Sequence, residues 1–178
     1  MNPGKVIWLT GIPRSGKTTI AQTAAALLRQ SGIPVVIVDG DQLRQGLSAD
    51  IGFTAEDRAE NVRRAGEMAK LIYENGIIAM VAMISPQQTA REKVRALFPA
   101  GDFIEVHCAC RIETCKRRDY KGLYSLAENG LIADFTGISS PYEPPVNPEL
   151  VLDTSAEDEH ESSARLLEYL HRARARMP

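Results

Sequence analysis

No excess of positive charge marks this sequence. Its 21 lysines and arginines are outnumbered by 23 aspartates and glutamates, and the formal net charge is −2. The overall basic field that would draw nucleic acid or an anionic membrane is missing, so any anionic ligand must be held by local arginines and backbone amides. No apolar run approaches the roughly 18 residues of a membrane-crossing helix, and no secretory leader is visible before the first strand-like segment. These absences point to a soluble, cytoplasmic protein with neither nucleic-acid nor membrane partners. Cysteine is scarce as well. Cys108, Cys110 and Cys115 are odd in number and clustered, with no CxxC pair and no fitting set of histidines. That pattern argues against a disulfide framework or a zinc site and for reduced, buried packing residues, with Cys108 and Cys110 on one face of a strand. Internal repeats and linkers are missing too. With 178 residues, 44% hydrophobic and 25% charged, the chain fits one domain over 1–178 with a single core.

Hydrophobic runs and their spacing supply the architecture. Lys5–Thr10 reads as a first strand and Thr18–Gln30 as a helix with an alanine-rich face, stopped at Gly32. Pro34–Asp39 is a continuous β-branched run, suited to a strand buried on both faces of a parallel sheet. A helix from about Glu56 to Asn75, a strand over Ile77–Ile84 and a strand over Phe103–Ala109 follow. Helical segments at Thr89–Leu97 and Glu113–Arg118 flank that last strand, Leu150–Asp153 adds a short one, and Ala164–Arg174 closes the chain as an amphipathic helix. The stretch 119–148 is rich in Gly, Pro and Tyr without a clear period and reads as a mobile lid. Strands alternating with helices call for an α/β fold of three layers, a parallel sheet with helices on both faces.

Between the first strand and helix lies Gly11-Ile-Pro-Arg14-Ser15-Gly16-Lys17-Thr18, a full match to G-x-x-x-x-G-K-[ST] in its proper strand–turn–helix context. Backbone N–H groups of such a loop cradle phosphates at a helix N-terminus. Gly11, Arg14, Ser15, Gly16, Lys17, Thr18 and Thr19 are therefore the expected ATP contacts. Lys17 reaches the β- and γ-phosphates, and Thr18 is a ligand for Mg²⁺. A GTPase would want a base-reading N-K-x-D motif, and the sequence has none. A short chain with a late lid suits a small-molecule kinase.

Asp39-Gly40-Asp41 stands at the carboxyl end of the second strand, where open α/β sheets bind ligands. A kinase needs one carboxylate for Mg²⁺ and another for the acceptor hydroxyl. Asp39 and Asp41 share these duties, with the base unassigned between them. Arg44, Phe53, Arg58 and Asn61 follow closely, the last two three residues apart on one helix face. An arginine pair, an aromatic ring and an amide suit an anionic nucleotide whose base stacks on Phe53.

Taken in order, the phosphate loop and the segments V-D-G-D-Q-L-R-Q-G-L from Val38, G-F-T-A-E-D-R-A-E-N-V-R-R from Gly52 and M-I-S-P from Met83 resemble the adenylylsulfate (APS) kinase family. So do G-D-F-I-E-V from Gly101, R-D-Y-K-G-L-Y from Arg118, D-F-T-G-I from Asp134 and S-P-Y-E-P-P from Ser140. The resemblance implies a P-loop NTPase fold and transfer of the γ-phosphoryl of MgATP to the 3′-hydroxyl of adenosine 5′-phosphosulfate. It also implies an acceptor site of Asp41, Arg44, Phe53, Arg58, Asn61, Ile84 and Ser85, closed from the lid by Lys121 and Phe135, and a homodimer linked to ATP sulfurylase. Lys17, Asp39, Asp41 and Ser85 form the catalytic set, with Ser85 read as a ligand contact and not as a phosphorylated intermediate. The sequence departs from the family at Gln42, Tyr120, Ser125, Leu126 and Glu128, where the family commonly has Asn, Pro or Val, two lysines and an arginine. Those changes motivate a second reading, a paralogous kinase acting on another nucleotide with a sulfate-like head, such as a cytidine diphosphoramidate.

Overall fold

Val6–Thr10 and Ile78–Ala82 are buried along their whole length, as strands must be when helices cover both faces of a parallel sheet. Their side chains alternate between the faces with the period of two set by the pleat. In the computed structural model, which describes residues 4–175, Ile7, Leu9, Met80, Ala82, Ile104 and Val106 pack into one core. Val6, Trp8, Ala79, Val81 and Phe103 pack into the other.

The elements run β1 (Val6–Thr10), α1 (Lys17–Gln30), β2 (Val35–Asp39), α2 (Gly40–Leu43), α3 (Ala55–Glu74), β3 (Ile78–Ala82) and α4 (Gln88–Arg95). They continue with β4 (Phe103–Ala109), α5 (Ile112–Arg117), α6 (Leu123–Glu128), β5 (Leu150–Asp153) and α7 (Glu159–Ala175). The sheet has the order β2-β3-β1-β4-β5, with every pairing parallel. Helices α1 and α7 cover one face and α3 and α4 the other, which is the three-layer α/β arrangement expected. Because β1 lies between β3 and β4, the chain leaves it at a topological switch point, where such sheets bind ligands. Helix α3 starts on a capping box, with Thr54 and Asp57 satisfying each other's backbone N–H groups.

The structure departs from the sequence reading in several places: helix α2 replaces a plain turn after β2, and the sheet divides the expected single core between its two faces. Strand β3 stops at Ala82, short of the expected Ile84, because the chain turns away at Ser85, whose φ is +40°. Helix α6 lies inside the stretch read as aperiodic; at six residues it is too short to display a period. Helix α7 begins at Glu159, ahead of the expected Ala164, because Asp158 caps it by accepting from the His160 and Glu161 N–H groups. Cys108 is buried in the sheet core, but Cys110 falls beyond the end of β4 and is only half-buried. The chain ends included in the 1–178 expectation, residues 1–3 and 176–178, lie outside the described residues. Among the described residues no helix is long and apolar enough to cross a membrane.

Candidate active site

The loop from Gly11 to Gly16 is shaped by close approaches. A Cβ on Gly11 would sit 2.6 Å from Ser15 Oγ and 2.7 Å from the Cys108 carbonyl oxygen, so only glycine fits there. Gly16 (φ +90°) and Arg14 (φ +63°) adopt left-handed conformations on the way into α1. Lys17 Nζ donates to Gly11 O at 2.9 Å, Ile12 O at 2.8 Å and Ser15 Oγ at 3.2 Å. Burial lowers its pKa against the opposing pull of Cys108, Cys115, Asp41 and Asp39, and a phosphate arriving in the loop restores a full partner for the ammonium.

Asp39 ends β2 and is fixed from two sides. Its Oδ1 accepts from the Asp41 and Gln42 N–H groups at 2.9 and 3.2 Å, capping α2, and its Oδ2 accepts from Thr18 Oγ1 at 2.8 Å. Gly40 makes the approach possible, since a Cβ there would meet Met83 Cβ at 2.8 Å. Asp41, one turn further, is exposed at the rim of the cleft, and its carboxylate makes no hydrogen bond or ion pair among the described residues.

On the opposite wall the Arg44 guanidinium lies 4.2 Å and that of Arg58 5.6 Å from the centroid of Phe53, a ring that is 56% exposed. Arg44 donates to the Gly52 carbonyl at 2.6 Å, and Arg58 to those of Phe53 and Asp134 at 3.0 and 2.5 Å. Burial lowers both arginine pKa values, and Arg44 lowers that of Arg58 further. Asp57 and Asp41 oppose the shift at Arg44, and Asp134 opposes that at Arg58; an anion bound beside them would favour the charged form of both. Asn61 is buried on α3 beside them. Ser85 is also buried, and its hydroxyl accepts from Trp8 Nε1 at 3.0 Å and donates to the Met83 carbonyl at 3.4 Å. Behind it, buried Arg91 donates to the Ser85 carbonyl, to Glu105 and to the Glu143 carbonyl at 2.6, 2.8 and 2.8 Å.

Residues 119–148 meet the loop directly. Tyr124 donates its hydroxyl to the Pro13 carbonyl at 2.8 Å and stacks edge-on against Phe135 at 5.0 Å. Asp119 accepts from Arg14 Nε at 3.2 Å and from the Tyr124 N–H at 2.8 Å. Glu128 of α6 pairs with Lys116 of α5, so one of the departures from the family pattern ties this region to α5. Tyr120, a second departure, is 81% exposed and lies 4.4 Å beneath the Arg14 guanidinium.

These walls enclose one cleft of about 860 Å³. Arg14, Gly16, Lys17, Thr18, Thr19, Asp39, Asp41, Arg44, Phe53, Arg58, Asn61, Ile84, Ser85, Lys121 and Phe135 all line it. Gly11 and Ser15, buried behind the loop, do not. Sequence reasoning missed the end of the cleft formed by Arg118 and Thr154, where Arg118 donates to the Thr154 carbonyl at 2.6 Å. Arg118 opens the R-D-Y-K-G-L-Y segment, which was the available signal; Thr154 follows a four-residue strand and offered none. Among the described residues no cluster of three His, Cys, Asp or Glu side chains could hold a metal. Thr18 Oγ1 and Asp39 Oδ2 are a pair of oxygens that phosphate oxygens would have to complete around an ion.

Comparison with known proteins finds one family over most of the chain. The profile of the family described as "Adenylylsulphate kinase" matches residues 3–153. The adenylyl-sulfate kinase of Bacillus pumilus is 52% identical over 165 residues, 93% of this chain and 84% of the relative. That of Acaryochloris marina is 47% identical over 165 residues, 93% of this chain and 80% of the relative. Among solved structures, the APS kinase of Mycobacterium tuberculosis in complex with AMPPNP and APS superposes with a TM-score of 0.91 at 41% identity, covering 96% of this chain and 99% of that one. A shikimate kinase from Aquifex aeolicus, at 15% identity and a TM-score of 0.56, shares the fold alone.

Proposed function

The chain belongs to the adenylylsulphate kinase family, and from that premise we propose that its cleft transfers the γ-phosphoryl of ATP to the 3′-hydroxyl of adenosine 5′-phosphosulfate, giving 3′-phosphoadenosine 5′-phosphosulfate. The observation that carries this reading is the meeting of two unlike walls in one cleft: a phosphate-binding loop on one side, and the Phe53 ring with the guanidiniums of Arg44 and Arg58 close to it on the other.

Phosphoryl transfer needs positioning and charge neutralisation more than covalent help from the protein. Lys17 and the loop amides hold the β- and γ-phosphates. Thr18 Oγ1 and Asp39 Oδ2, 2.8 Å apart, are hard oxygen donors of the kind Mg²⁺ prefers, and these two residues would hold the ion. Bound there, Mg²⁺ would neutralise phosphate charge. With both Asp39 oxygens engaged, Asp41 is the carboxylate left to orient the acceptor hydroxyl and take its proton. Arg44 and Arg58 hold the anionic head of the acceptor, Phe53 and Phe135 stack its base, and Asn61 and Ile84 line the pocket. Ser85 shapes the wall through its turn, its hydroxyl already shared between Trp8 and Met83. Residues 119–148 act as a lid over both nucleotides, with Lys121 at its mouth. The family resemblance also supports one catalytic domain that works as a homodimer.

An acceptor panel tests the reading. With MgATP fixed, kcat/KM for adenosine 5′-phosphosulfate should exceed that for cytidine nucleotides with a sulfate-like head by at least about 100-fold, the scale of a lost base contact of about 3 kcal/mol. Equal or reversed preference would sink the adenine-specific assignment and favour the paralogous kinase.

A further inference from the structure

Among the described residues three buried side-chain oxygens have no hydrogen-bond partner: Ser48 Oγ, Asn61 Oδ1 and Thr136 Oγ1. An unpaired buried hydroxyl costs roughly 1–3 kcal/mol, so each such atom wants a cause. Ser48 does not line the cleft. Asn61 and Thr136 do, and both are more than nine-tenths buried, at 4% and 1% exposure. Asn61 already has a place in the acceptor pocket. Thr136 has none.

Its position narrows what it faces. The preceding residues belong to the acceptor side, since the Asp134 carbonyl accepts from Arg58 at 2.5 Å and Phe135 lines the same wall. The following residue reaches the phosphate loop, since a Cβ on Gly137 would lie 3.6 Å from Ile12 Cγ2. The segment is held in shape by bonds that do not use the Thr136 side chain: the Phe135 carbonyl accepts from Ser140 at 3.0 Å, the Phe135 N–H donates to Ser139 Oγ at 2.9 Å, and the Gly137 N–H donates to the Ser140 carbonyl at 2.8 Å. The hydroxyl is thus fixed in place by its neighbours and left without a partner among the described residues.

We infer that Thr136 is a binding and specificity-determining residue for the acceptor nucleotide, its hydroxyl bonding a polar atom of that ligand as the lid segment closes over it. The inference rests on the acceptor reading above. Its signature is a split between stability and binding. Thr136→Val keeps the branched shape and deletes only the oxygen. Its melting temperature without ligand should equal or exceed that of the wild type, because an unpaired polar group has been removed. Its KM for adenosine 5′-phosphosulfate should rise about three- to tenfold, the worth of one hydrogen bond, with the KM for ATP within twofold. Thr136→Ser should restore most of the loss.

The outcomes separate cleanly. If the wild type turns over adenosine 5′-phosphosulfate and Thr136→Val leaves its KM unchanged, or raises the ATP KM equally, the role assigned to Thr136 is wrong and the function stands. If Thr136→Val melts below the wild type, the hydroxyl has a partner within the protein and the inference falls. If the wild type does not use adenosine 5′-phosphosulfate at all, the acceptor reading fails and takes this role with it.

Discussion

On the donor side of the cleft, Ser15 and Lys17 are buried, and the lysine is held by backbone oxygens only five and six residues away in sequence. On the acceptor side, Phe53 is 56% exposed, and the side chains around it are the longest and most mobile kinds. One of them, Arg58, reaches a carbonyl 76 residues on. The first wall is a local structure, made by a glycine that tolerates no Cβ and by the start of a helix. The second is assembled by distant segments and held together by arginines. The local wall takes only a brace from residues 119–148, such as the Tyr124 hydroxyl on the Pro13 carbonyl, whereas the assembled wall depends on every segment that meets in it, which suits a fixed donor and a specific acceptor.

Three substitutions sharpen that contrast, the largest first. Lys17→Ala should lower kcat by about 10²–10³-fold or more, the scale of losing an electrostatic contact that strengthens in the transition state, while circular dichroism stays native. Turnover near the wild type would place the phosphates elsewhere. Arg58→Ala should raise the acceptor KM by roughly tenfold or more, since a charge-assisted bond is worth about 1.5–3 kcal/mol, with ATP binding little changed. Equal weakening of both ligands would erase the distinction between the walls. Tyr124→Phe removes the bond to the Pro13 carbonyl and should lower the melting temperature by about 2–4 °C for a loss of about 1 kcal/mol. A rise of a few-fold in the ATP KM should accompany it. An unchanged ATP KM would mean that residues 119–148 do not brace the donor wall.

The same contrast decides how much of the molecule was legible beforehand. The phosphate loop announces itself because its chemistry demands fixed residue types at fixed spacing, and the buried strands because a parallel sheet needs unbroken apolar runs. Arg44, Phe53 and Arg58 were readable only as a set, since each alone is an ordinary surface residue. What escaped was set by tertiary contact. The fixed state of Asp39 Oδ2 depends on Thr18, 21 residues away. The turn at Ser85 is braced by Arg91, which is buried against Glu105. Glu128, which by sequence looks like the loss of a cation over phosphates, is the partner of Lys116. Both members of that pair are substantially exposed, so it adds little stability; it ties α6 to α5. Thr136 lies in the D-F-T-G-I segment, but that segment does not say which of its side chains meets a ligand; burial without a partner singles out the threonine.

On the proposed reading both walls serve one reaction. The most direct test is to incubate the protein with MgATP and adenosine 5′-phosphosulfate and locate the transferred phosphate by mass spectrometry and phosphorus NMR. One new phosphate is expected, on the 3′-oxygen of the acceptor, formed only with Mg²⁺ present and lost in Lys17→Ala. ATP binding without any such product would contradict it, leaving a kinase donor site joined to an acceptor wall of another chemistry.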